Sequence, residues 1–195
     1  MDYLSEISEQ LQFPLDRQFH VLKHFVDIDK EYELMLLKHY SKEEINLILN
    51  NLGSYFYKGF SDNPISLLNS LLDKKIDSID VDAVTKNIHL SYSYSKSEYS
   101  EGIGLDNFVA IEELRPDEVI AIKTKYLGGN KVQSVQSEAK PTWNLHLILA
   151  KQSSSYIVIT IFLGKYAPPF PDYKHQSKEY YLENKKFWDK HIFIE

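Results

Sequence analysis

No cysteine occurs among the 195 residues. Disulfides, thiolate zinc centres, iron–sulfur clusters and cysteine nucleophiles are therefore excluded together. Glycine and proline are sparse, at seven each, too few for a collagen-like or low-complexity chain. Long apolar runs are also missing. The longest, Tyr156 to Leu163, is far shorter than the roughly 20 residues that cross a bilayer as a helix. The opening Met1-Asp2-Tyr3-Leu4-Ser5-Glu6 carries acid where a secretory signal needs base. These features lead us to expect a cytoplasmic protein with no membrane partner. Positive charge is in deficit, with 22 basic against 28 acidic residues and a net charge of −6. That balance opposes indiscriminate attraction to nucleic acid or anionic membrane. What remains is ordinary globular material. A hydrophobic fraction of 43% and an aromatic fraction of 13% are enough to fill the core of one domain of this length.

The hydrophobic period changes along the chain. Up to about residue 75 it is helical. Leu34, Met35 and Leu37 recur at helix spacing, and Ser41-Lys42-Glu43-Glu44 has the form of a capping box ahead of Ile45, Leu47, Ile48, Leu49 and Leu52. Gly53 is a plausible stop. A further helix is expected from Pro64 to Lys75, capped by Ser61 or Asp62 and lined by Leu67, Leu68, Leu71 and Leu72. After Ile76 the period becomes two. Ile88, Leu90, Tyr92 and Tyr94 alternate with His89, Ser91 and Ser93, and strands are expected at 108–111, 119–124, 143–149 and 156–162. The last of these is apolar on both faces, the mark of a strand covered on each side. Turn signals stand at Gly102 and Gly104, at Gly128-Gly129-Asn130 and at Gln152 to Ser155. A final helix over 177–190 precedes a short strand at 192–194. The expected fold is α+β: N-terminal helices over 1–75, then a mostly antiparallel twisted sheet of about 4–6 strands with a late C-terminal helix over 76–195.

Several patterns carry little chemistry. Asp16, His20 and His24 stand four apart, as two metal-binding imidazoles on a helix would, but no HExxH motif is present, and an exposed helical face is the plainer reading. Glu101-Gly-Ile-Gly104 lacks the third glycine of a dinucleotide site and the lysine of a P-loop. No metal or cofactor is expected. His146 and His89 lie inside predicted strands. Such a histidine is either hydrogen-bonded and half-buried or turned into a cleft. His191 stands where the last helix meets the last strand, and element ends are where sites collect. Thr160 is a lone hydroxyl in an apolar strand, costly unless bonded or exposed. The strand then ends at Gly164, followed by Lys165, Tyr166 and the rigid Pro168-Pro-Phe-Pro171 run.

This strand and its continuation, with Thr160, an aromatic at Phe162, Gly164 and the prolines, resemble the terminal strand of the barnase/EndoU/colicin/RelE-like (BECR) ribonuclease superfamily. The closing Phe187-Trp188-Asp189-Lys190-His191 is similar to the tail of some toxin members. Ile161-Phe162-Leu163-Gly164 departs from the Thr-Ala-aromatic-Pro-Gly ending by replacing the alanine and the proline. The resemblance covers residues 143–195. It implies a toxin-type, metal-independent endoribonuclease in which the ribose 2′-hydroxyl attacks the adjacent phosphorus and leaves a 2′,3′-cyclic phosphate. On that footing His146 and His191 exchange protons, with His89 a competitor for either place, and Thr160 and Lys165 contact the phosphate. Tyr166 stacks on a base, RNA is the substrate, and a protein antidote is a possible partner. Residues 151–190 hold seven lysines against four acids, a local +3, where the whole chain is negative. The alternative is a non-catalytic acidic protein-binding protein, of immunity or phage-accessory type, whose surface meets a basic partner.

Overall fold

The computed structural model describes residues 7–49, 54–82, 85–106, 117, 121–127, 130–136, 138–166, 168, 177–190 and 192–194. It divides into two compact units, Met1–Asp106 with Pro141–Gly164, and Asn107–Lys140 with Lys165–Glu195. The fold is α+β.

In the first unit, β1 (Leu11–Gln12) leads into α1 (Leu15–Val21), which runs on as a 3-10 turn over Leu22–His24. Helix α2 (Lys30–Leu36) is capped by Asp29, whose side chain accepts from the Tyr32 amide. Helix α3 (Lys42–Leu49) opens with the expected capping box. Glu44 Oε2 accepts from the Ser41 amide at 2.7 Å, and Ser41 Oγ accepts from the Glu44 amide at 3.2 Å. After β2 (Tyr55–Phe56), α4 (Pro64–Leu72) begins with proline in its first turn. Its cap is neither Ser61 nor Asp62 but Asn63, whose Oδ1 accepts from the amides of Ile65 and Ser66. That arrangement satisfies two of the orphan donors at the helix start.

The strands follow: β3 (Ser78–Val81), β4 (Ile88–Ser93) and β5 (Gly104–Asp106), then β8 (Lys140–Thr142), β9 (Asn144–Gln152) and β10 (Ser155–Leu163) after the insertion of β6 (Ala121–Leu127) and β7 (Asn130–Gln136). The main sheet has the order β1-β10-β9-β4-β3. It is antiparallel except where β1 pairs parallel with β10. A small sheet, β2-β5-β8, accompanies it. One face of the main sheet is the core. Ile88, Leu90 and Tyr92 of β4, Leu145, Leu147 and Leu149 of β9, and Val158, Ile161 and Leu163 of β10 are buried there with Val21 of α1 and Leu67, Leu68 and Leu71 of α4. The leading helices thus share their core with the sheet. Leu22, Tyr32, Leu36 and Ile45 form a satellite cluster.

In the second unit β6 and β7 form an antiparallel hairpin, with β11 (Ile192–Ile194) antiparallel on the other side of β7. Helix α5 (Lys178–Trp188) is capped by Ser177. Trp188 Nε1 donates to the Pro168 carbonyl at 3.0 Å. The expected strand at 108–111, the Gly128-Gly129 turn, His191 and most of the proline run lie outside the described residues. Among the described residues no helix is long and apolar enough to cross a membrane.

Candidate functional site: a histidine relay on the outer face of the sheet

Strand alternation turns His89 and Ser91 of β4 away from the core that holds Ile88, Leu90 and Tyr92. The pairing of β4 with β9 sets Ser91 opposite His146 and His89 opposite Ile148, so the two histidines are diagonal neighbours on one face. Diagonal side chains in a sheet are within reach when they are long or aromatic. Here the rings meet, with His89 Nε2 and His146 Nδ1 2.9 Å apart. His146 Nε2 in turn lies 2.9 Å from the Gly164 carbonyl oxygen. A carbonyl only accepts, so His146 Nε2 carries a hydrogen and donates it. In the neutral ring Nδ1 is then an acceptor, which makes His89 Nε2 the donor to it. The relay reads His89 N–H to His146, and His146 N–H to Gly164, leaving the lone pair of His89 on Nδ1.

Burial differs along the relay. His146 is 7% exposed, whereas His89 is half-buried. Burial pushes the His89 imidazole down to about 4, helped by His146 and opposed by Asp80 beside it. Burial also lowers His146, against the Gly164 carbonyl and the Asp106 carboxylate, which favour its charged form. Both rings are therefore neutral at physiological pH. His146 is held by the Gly164 carbonyl, and His89, half-buried, is the more exposed of the two rings.

Thr160 reaches this face through a β-bulge. Val158 pairs with Leu149, but Thr160 pairs with Ile148, so the register shifts across Ile159. In an unbroken ladder Thr160 would have fallen on the core face with Val158. The extra residue instead sends Ile161 into the core and Thr160 outward. Asp80, His89, Ile148 and Thr160 thus form one row across four strands, and Ser78, Ser91, His146 and Phe162 form the next. The Phe162 ring packs on His146 with centroids 5.0 Å apart. Thr160 and His146 are diagonal neighbours on this face, at the roughly 7–8 Å spacing of such pairs.

Gly164 closes the arrangement. Its φ is +98°, and a Cβ there would run into the carboxyl group of Asp106. Only glycine lets the carbonyl that anchors His146 sit so close to a buried carboxylate. Asp106 ends β5, and the pairing of Tyr55 with Leu105 brings Ser54 beside it. Ser54 Oγ donates to Asp106 Oδ1 at 2.6 Å, and the Ser54 carbonyl accepts from His24 Nδ1 at 2.7 Å. His24 is buried, contrary to the expected exposed helical face, because α1 gives way to the 3-10 turn that carries it into the interior. His20 stays partly exposed, its Nε2 2.8 Å from Lys23 Nζ. The Asp16, His20 and His24 set therefore does not converge.

Of the six residues singled out from the sequence, His89, His146 and Thr160 share the outer face. Lys165 and Tyr166 are exposed and belong to the second unit. Ser54 and Asp106 lie 52 residues apart in sequence and carry no local signal of their pairing; the glycine that follows β10 marks only a close approach. Comparison with family models, curated proteins and solved structures gives no match.

Proposed function

We propose that this chain is a metal-independent endoribonuclease of toxin type, with RNA as substrate, a protein antidote as partner and the cytoplasm as its compartment. The observation that carries this reading is the relay from Gly164 through His146 to His89, which presents a neutral, oriented imidazole on an outward sheet face. His89 Nδ1 takes the proton of the ribose 2′-hydroxyl. The 2′-oxygen attacks phosphorus, the bond to the 5′-oxygen breaks, and a 2′,3′-cyclic phosphate remains. As His89 becomes positive, its Nε2–H bond to His146 strengthens and the Gly164 carbonyl and Asp106 take up the polarisation behind it. Thr160 donates its hydroxyl hydrogen to a non-bridging phosphate oxygen. Asp80, at the opposite end of the row, repels phosphate and biases it toward Thr160. In this scheme His146 is a positioning residue, where the resemblance made it a proton carrier.

The test is RNA cleavage by purified protein in EDTA, with analysis of product ends. Cyclic phosphate termini are expected. His89→Ala should lower the rate by at least ~100-fold, the usual contribution of a general base. The departing 5′-oxygen takes its proton from water, and His89 returns the one it holds to solvent. Cleavage that leaves only 5′-phosphate ends, that requires a divalent metal, or that survives His89→Ala would refute the reading.

A further inference from the structure

Among the described residues the main sheet stops at β3, all four of whose residues are exposed. The ladder to β4 decides which backbone groups are used inside. The Asp82 amide donates to the Asn87 carbonyl at 2.9 Å, and the register pairs Val81 with Ile88 and Asp80 with His89. In antiparallel alternation Asp80 then turns its N–H and C=O toward β4, while Ile79 and Val81 turn theirs to the open edge. The side chains alternate as well. Ile79 and Val81 stand on the same face as Leu90 and Ile88, yet remain 43% and 58% exposed. Asp80 stands on the opposite face, and Asp77 and Asp82 bracket the strand.

Charge commonly guards an exposed edge against pairing with its like. Within residues 77–82 it has one sign, the nearest basic residues in sequence, Lys75 and Lys86, standing outside them, so β3 of a second copy would bring acid against acid, which is unfavourable. The same charge favours a strand of opposite sign. Such a strand would also cover the apolar area that Ile79 and Val81 leave in water.

We propose that the open edge of β3 is a strand-addition site for an extended segment of a basic partner protein, with apolar residues beside Ile79 and Val81 alternating with lysine or arginine beside Asp80. Main-chain hydrogen bonds to Ile79 and Val81 provide the binding, and the alternation provides the selectivity. The inference shares Asp80 with the proposed ribonuclease site, but its readout, amide exchange at Ile79 and Val81, does not depend on RNA cleavage.

The probe is a synthetic octapeptide of alternating lysine and valine, added to the full chain while amide hydrogen exchange is followed residue by residue. Peptide in excess of its dissociation constant should slow exchange at Ile79 and Val81 by at least about fivefold, with core amides such as Leu90 unchanged. A peptide of the same composition with its lysines clustered at one end should have no effect. Asp80→Lys should abolish the protection and transfer it to an alternating glutamate–valine peptide. Ile79→Pro, which deletes an outward N–H and no ladder bond, should abolish it too. Unchanged exchange at millimolar peptide overturns the proposal, as does equal protection by the clustered peptide. Protection that grows with protein concentration alone overturns it as well, because a second copy would then occupy the edge.

Discussion

His24 offers the sharpest test of the interior. Its ring is buried among Phe56 and its neighbours, its Nδ1 donates to the Ser54 carbonyl, and its Nε2 has no hydrogen-bond partner. Burial is the main cause that pushes it from 6.5 down to about 3, with the charge of Lys23 acting in the same direction. A base whose folded value is depressed binds its proton more readily when unfolded. Its contribution to stability is complete above about pH 6.5 and is lost as the pH falls toward 3. Each unit between the two values is worth about 1.36 kcal/mol. At pH 5 the loss from this one group is therefore about 2 kcal/mol, a large part of a typical folding free energy of roughly 5–15 kcal/mol. Asparagine at this position places an N–H close to that of Nδ1 and does not titrate. His24→Asn lowers stability at every pH through the cavity it leaves, and that constant offset cancels in the pH dependence. Urea unfolding followed by tryptophan fluorescence and circular dichroism at about pH 8 and pH 5 should show the variant losing about 2 kcal/mol less than the parent on acidification. Equal losses in the two proteins would mean that His24 is not a buried neutral base, and the inward path of the 3-10 turn would be wrong.

Further outcomes follow from the same structure. Nitrogen-15 spectra at neutral pH should find both His89 and His146 neutral with hydrogen on Nε2, and His89 should gain its proton only near pH 4; an ordinary midpoint at either ring would contradict the relay. Gly164→Ala combines left-handed strain with a collision at Asp106 and should cost about 1–3 kcal/mol, along with a shift of the His146 ring resonances. Asp106→Asn removes the negative charge behind His146, so the protonation midpoint of that ring should fall, while an unchanged midpoint would separate Asp106 from the relay. Leu147→Ala, at a fully buried core position between two strands, should destabilise by about 2–5 kcal/mol in the same urea assay.

Features that depend on near neighbours are legible in the chain. The capping box at Ser41 and Glu44, the helix around Leu67 to Leu72, the outward side of His89 and Ser91, and the helix-then-sheet order are all set by spacings of two to four residues. The other features arise from contacts between distant segments. The alternation of β10 alone gives no sign that Ile159 is an extra residue, because the bulge exists only relative to β9, and it alone puts Thr160 on the histidine face. No local rule distinguishes His24, which is buried, from His20, which is not; the difference lies in where the 3-10 turn meets the core. The contact between His89 and His146 spans 57 residues and that between Ser54 and Asp106 spans 52. Each depends on strand register, and a slip of one residue would send every one of these side chains to the opposite face.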